Sequence, residues 1–180
     1  MPQIMQNILI PILSVVAIIM AYLAFFRRRI TDISDQLPNH SGKQYGTRTL
    51  SQIKRLIVHH SASEGQTAYD YAAYHIQEKQ WPGIGYHYVI QPAGEIFQTN
   101  HLTTNSYHTQ GFNTEGIGIC LSGNLSNHPM TDTQEKSLIW LLRKLRKDIP
   151  SVVAVSGHRD HKNTSCPGDY TDLDKIIGKL

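Results

Sequence analysis

The sequence predicts an α/β domain: a central mixed β-sheet flanked by helices, preceded by one N-terminal transmembrane helix. Three observations carry that expectation. Short apolar runs of strand type alternate with segments of helical period, as in sheets built with crossover connections. The first 26 residues contain no charged side chain. The chain as a whole has the balance of a folded protein, with 40% hydrophobic and 17% charged residues.

The N-terminal element comes first. Residues 8–26 read ILIPILSVVAIIMAYLAFF. At about 1.5 Å per residue they span roughly 28 Å, against a bilayer hydrocarbon thickness of about 30 Å. Pro11 lies near the start, where a helix tolerates it. A buried core helix of this length would normally carry a polar stripe. A cleaved signal peptide would need a basic start and a small-x-small cleavage site. Here no Lys or Arg precedes the apolar run, and Phe25-Phe26 then Arg27-Arg28-Arg29 follow it. Residues 1–29 are therefore expected to be a single-pass anchor that meets membrane lipid through residues 8–26. The positive-inside rule assigns the arginines, and the domain behind them, to the cytoplasm. A substrate in the cell wall would need the other side, and the sequence leaves the orientation open.

Residues 30–50 are polar, contain Pro38, Gly42 and Gly46, and show no sustained apolar period. They are expected to be a linker, either a tether or a loosely packed lead-in, with residues 51–180 forming the soluble domain. In that domain KRLIVHH (residues 54–60) reads as a buried strand. Residues 67–80 open with Thr67 and Asp70 in capping-box spacing and continue as a helix. GYHYVIQPAGEIFQT gives two strands joined at Pro92-Ala93-Gly94, and EGIGICLSGN gives another. A second helix begins at Thr131, with Gln134 as its capping-box partner. Leu138, Leu141, Leu142 and Leu145 form its apolar face. SVVAVSGH supplies the last strand.

Two predicted strands end in histidine, at His59-His60 and at His158. Eight positions after His158 stands Cys166, followed by Pro167-Gly168. Two imidazoles and a thiolate suit zinc, with the fourth position open, better than magnesium or calcium. On spacing alone His60, His75, His87, His101 and His161 remain alternative donors. The net charge of +3 is too mild to indicate nucleic acid. Two cysteines, Cys120 and Cys166, make no disulfide framework.

Four blocks occur in order between Arg55 and Tyr170: RLIVHHSAS, GIGYHYVI, SYHTQGFNTEGIGICLSGN and SGHRDHKNTSCPGDY. Together they resemble the zinc-dependent N-acetylmuramoyl-L-alanine amidases of the type-2 amidase family. That family includes phage amidase-type lysozymes and the peptidoglycan recognition proteins of animals. The resemblance implies a zinc ion (Zn2+) held by His59, His158 and Cys166. It implies a peptidoglycan hydrolase that cuts the amide between N-acetylmuramic acid and L-alanine of the stem peptide through a zinc-bound water.

Tyr86 matches the family's catalytic tyrosine, a phenol able to donate to a developing oxyanion. Thr164 falls where the family carries lysine or threonine. His108, Asn113 and His60 are expected on the side of the muramoyl-peptide, with loop packing the alternative for His108 and orientation of that loop the alternative for Asn113. Asp160 is expected either behind a ligand imidazole or in a surface or structural pairing. Cys120 stands where another branch has glutamate, so no glutamate base is assigned. Both thiols are expected unpaired, because a bridge would consume the ligand at Cys166. The expected partners are peptidoglycan and muropeptides, with the domain acting on the wall from a membrane tether. The alternative is a non-catalytic peptidoglycan-binding protein. Receptor members of the family lack the ligand cysteine, and its presence here favours the enzyme.

Overall fold

The computed structural model describes residues 29–180. The expected membrane helix over residues 8–26 lies outside the described residues. Among the described residues no helix is long and apolar enough to cross a membrane.

The sheet is organised around one short sequence, RLIVHH. It forms β3 (Arg55–His60), and Leu56, Ile57 and Val58 are wholly buried. A strand covered on both faces needs a continuous apolar run instead of alternation, which is what these residues supply. β7 (Gly116–Leu121) lies parallel to β3 on one side, and β8 (Ala154–Gly157) lies parallel to it on the other. β4 (Tyr88–Ile90) continues the sheet parallel to β7, and β5 (Ile96–Gln98) turns back antiparallel to β4. β1 (Ile30–Asp32) closes the edge, so the order is β1-β5-β4-β7-β3-β8. The sheet is mixed, as expected. β2 (Gly46–Thr47) and β6 (Thr104–Asn105) form a separate antiparallel pair.

One face of the sheet carries α1 (Ala68–Gln77). Asp70 starts this helix by accepting the Thr67 N–H at 2.8 Å and the Thr67 hydroxyl at 2.7 Å. Ala68, Tyr71, Ala72 and His75 are its buried positions, spaced as one helical stripe. They pack with Val89 and Cys120. The other face carries α2 (Asp132–Asp148) and α3 (Leu173–Ile177). Leu138, Leu141, Leu142 and Leu145 of α2 join Leu56, Val58, Ile90, Ile117, Ile119 and Leu121 in the main core.

Two expectations are corrected. Residues 30–50 are not a free tether. β1 pairs in register with Ile96–Gln98, Ile33 and Leu37 are buried against the α1 side, and Arg48 is only 5% exposed. Strands of two or three residues are too short to show a period, so composition reads them as loop. Thr131 does cap α2, accepting the Gln134 N–H at 3.0 Å. The Gln134 side chain does not return to the cap. Its amide donates to the carbonyls of Ile90 and Ser122, both at 2.9 Å, and pins the helix to β4 and the end of β7. Both carbonyls lie at strand ends, where a buried sheet margin must be satisfied.

Candidate metal centre

Side chains alternate along a strand, so the adjacent histidines of β3 leave on opposite faces. His59 points to the face of Ile57 and of Gly116, Gly118 and Cys120 in β7. His60 points to the other face, where its Nδ1 accepts the Leu125 N–H at 3.1 Å. This pleat separates two residues that spacing could not.

The metal-capable group on the His59 side consists of His59, His158 and Cys166, with donor atoms all within 4.8 Å of one another. β8 ends at Gly157 beside Val58, which places His158 next to the end of β3. The His59 and His158 rings are 4.6 Å apart between centroids. Cys166 Sγ is 3.7 Å from His59 Nδ1. A tetrahedral zinc ion about 2.0–2.3 Å from each donor sets those donors roughly 3.3–3.7 Å apart. The His59–Cys166 pair is already at that spacing. His59 is buried, whereas His158 and Cys166 are half-buried, so the cluster borders solvent.

The loop between His158 and Cys166 is braced from within. Asp160 accepts the Gly157 N–H at 2.7 Å and so shapes the turn entered by His158, instead of holding a ligand imidazole. Arg159 N–H donates to the Cys166 carbonyl at 2.8 Å, and its guanidinium donates to the Gly168 carbonyl. Thr164 Oγ1 accepts the Cys166 N–H at 3.2 Å. Both cysteines are free thiols.

Burial sets the protonation of the cluster. It holds His59 well below the ordinary imidazole range, helped by His108 and His158. Burial, His161 and Lys162 lower His158 as well. Both rings are thus neutral at pH 7, the form that ligates a metal. Burial pushes the Cys166 thiol up to about 11, against the opposing effects of the His60 backbone N–H and Arg159. A zinc ion entering the cluster must displace that proton. With one thiol proton released per ion, zinc affinity is therefore expected to rise by up to about tenfold per pH unit between pH 7 and 9. Competition with a zinc chelator at three pH values checks this; a flat profile would mean that no thiol proton is released.

Tyr86 stands beside the cluster, its ring centroid 5.4 Å from that of His59. Burial lifts its phenol well above the ordinary tyrosine range, and the neighbouring Cys120 and Cys166 add to that. Cys120 is wholly buried and likewise held protonated by burial. Asn113 Oδ1 accepts the N–H groups of His108 and Thr109, at 3.0 and 2.7 Å, and so orients their loop. His108 is 7% exposed and lies behind His59. The other candidate donors go elsewhere. His75 accepts the Gly85 N–H, His87 accepts that of Gly118, His101 pairs with Asp35, and His161 bonds Ser156.

Sequence reasoning passed over Arg48 and Thr109. Arg48 donates to the carbonyls of Leu102, Asn113, Thr114 and Gly116. Thr109 Oγ1 lies 3.3 Å from His59 Nε2. A lone arginine in a polar stretch gives no local sign of burial. The Gly116-x-Gly118 repeat in β7 was the available signal that something must lie flat on that strand.

Fold and site together define an α/β domain with an N/N/S cluster able to hold a metal ion at the carboxyl ends of parallel strands, the usual place for sites in such sheets. A profile of the N-acetylmuramoyl-L-alanine amidase family matches residues 49–169. The chain belongs to that family. It is 26% identical to peptidoglycan-recognition protein SC2 of Drosophila melanogaster over 132 residues, covering 68% of this chain and 72% of that protein. It is 28% identical to the endolysin of Enterobacteria phage K11 over 96 residues, covering 51% of this chain and 63% of that protein. The solved N-acetylmuramoyl-L-alanine amidase LysC of Clostridium intestinale URNW superposes with a TM-score of 0.73. That match has 25% identity and covers 84% of this chain and 97% of that one.

Proposed function

We propose that the protein is a zinc-dependent N-acetylmuramoyl-L-alanine amidase that cleaves peptidoglycan between the lactyl group and L-alanine. The observation that carries the reading is the complete donor set, His59, His158 and Cys166, with Tyr86 at its side. Two imidazoles and one thiol fit zinc and leave room for a fourth ligand. When bound, the ion supplies Lewis acidity toward the scissile carbonyl and the attacking water.

The chain's own groups do the rest. The two neutral imidazoles and the Cys166 sulfur hold the ion. The backbone N–H of His60 and the Arg159 guanidinium favour the anionic form of that sulfur against burial. Tyr86 keeps its proton at neutral pH, so it acts as a hydrogen-bond donor to the oxyanion as charge develops there. Cys120 stays neutral and takes no proton at pH 7. Thr164 supports the turn that presents Cys166, and its hydroxyl retains a proton to donate.

The test is to incubate the zinc-loaded full-length chain with muropeptides and follow free L-alanine amino termini. Cleavage is expected, with Tyr86→Phe lowering kcat by about 100-fold or more while KM changes little, the signature of a donor used in the transition state. Saturable binding without product over long incubation would instead establish a peptidoglycan-binding protein.

A further inference from the structure

The chain clears a seat for the His108 ring. Gly116 and Gly118 are two apart in β7 and so share the face of His59. A Cβ on Gly116 would lie 2.9 Å from His108 Cε1, and one on Gly118 would lie 2.6 Å from its Cγ. Either approach is closer than carbon atoms tolerate. Glycine at both positions lets the imidazole lie directly on the strand.

The protons in this seat follow from its partners. His108 Nε2 is 3.0 Å from the Gly116 carbonyl, which can only accept, so Nε2 carries hydrogen. Arg48 donates to the same carbonyl at 2.6 Å. The neutral ring then has a bare Nδ1, which faces His59 Nε2 at 3.3 Å. Two bare nitrogens would repel there, so His59 carries its hydrogen on Nε2. Thr109 Oγ1, 3.1 Å from His108 Nδ1 and 3.3 Å from His59 Nε2, joins the same group. His59 Nδ1 is thereby left bare, and it is the nitrogen that faces Cys166 Sγ.

We propose that His108 is a positioning residue. Seated on Gly116 and Gly118 and fixed by the Gly116 carbonyl, it sets the tautomer and ring angle of His59, so that Nδ1 is presented to the metal. The inference rests on the zinc reading above. It moves His108 from the substrate side, where the family resemblance put it, to the supporting side of the ligand. Outer partners of this kind typically change metal affinity by about 10- to 100-fold when removed.

Two measurements on the full-length chain test it. In the metal-free protein, histidine nitrogen NMR should show His59 protonated at Nε2 and bare at Nδ1. The zinc Kd, from chelator competition, should weaken about 10- to 100-fold in His108→Phe, which keeps a ring but offers no acceptor. His108→Asn sets an acceptor oxygen near the place of Nδ1 and should recover most of that loss. A wild-type His59 protonated at Nδ1, or a His108→Phe protein with wild-type zinc affinity, overturns the inference. Should His108→Phe fail to fold, the wild-type tautomer and the Kd of His108→Asn, expected near wild type, decide. A wild type that binds no zinc overturns the amidase reading itself and the role of His108 with it, which separates the two failures.

Discussion

Cys166→Ser is expected to remove high-affinity zinc binding and, with it, amide cleavage. The sulfur is the softest donor of the three and the one that brings negative charge to the ion. A serine hydroxyl in that half-buried position stays neutral and holds a borderline-soft cation poorly. Changes one shell further out already cost about 10- to 100-fold in metal affinity. Loss of a ligand itself should exceed that, placing the zinc Kd more than about 100-fold above wild type. The fold should survive in the metal-free state, because the exchange is nearly isosteric and the side chain is only half-buried. The comparison is therefore zinc Kd and product release against an unchanged metal-free melting curve. A Cys166→Ser protein with wild-type zinc affinity would show that the sulfur is not a ligand.

Gly168→Ala is expected to be the most damaging single methyl group in the domain. Gly168 has φ of +100°, a backbone state that side chains rarely adopt. A Cβ there would lie 2.3 Å from the Leu125 carbonyl carbon and 2.4 Å from its oxygen. The obstacle is backbone, and it is held in place: the Leu125 oxygen accepts the Tyr170 N–H at 3.0 Å. The conformational strain alone costs about 1–3 kcal/mol, and forced overpacking adds about 1–3 kcal/mol more. For a domain of this size the melting temperature should fall by roughly 5–20 °C. Gly168 is two residues from Cys166, so zinc affinity should fall as well. A melting temperature within about 1 °C of wild type would contradict the close packing of this turn on Leu125.

The elements that were legible in the sequence share a physical feature: their signal is local. β3 announces itself by an unbroken apolar run, α1 by Asp70 reaching back to Thr67, and α2 by its leucine stripe. β1, β2 and β6 carry no such signal, because two or three residues cannot display a period and are held by the strands they meet. Gln134 was misread for a related reason. The same side chain suits a helix cap or a buried carbonyl pair, and only the packing of α2 on the sheet decides between them.

In the site, the strand-end histidines and Cys166 were visible as candidates. What selects His59 over its neighbour is the pleat of β3 together with the loop that returns Cys166 to one face. The motif around His108 does not tell which groups its ring meets; the Gly116 carbonyl and the His59 ring become visible only in the packed strands.

Arg48 has a practical consequence for anyone who trims this protein. The stretch shared with its relatives starts at residue 49, one position after a side chain that props up the floor beneath the histidines. An excised head cut to the borders of that shared stretch would lose the prop along with the outermost strand. It could still look folded while the histidines above the missing prop sit loosely, and weak metal binding or weak activity in such a fragment would report on the cut, not on the intact domain.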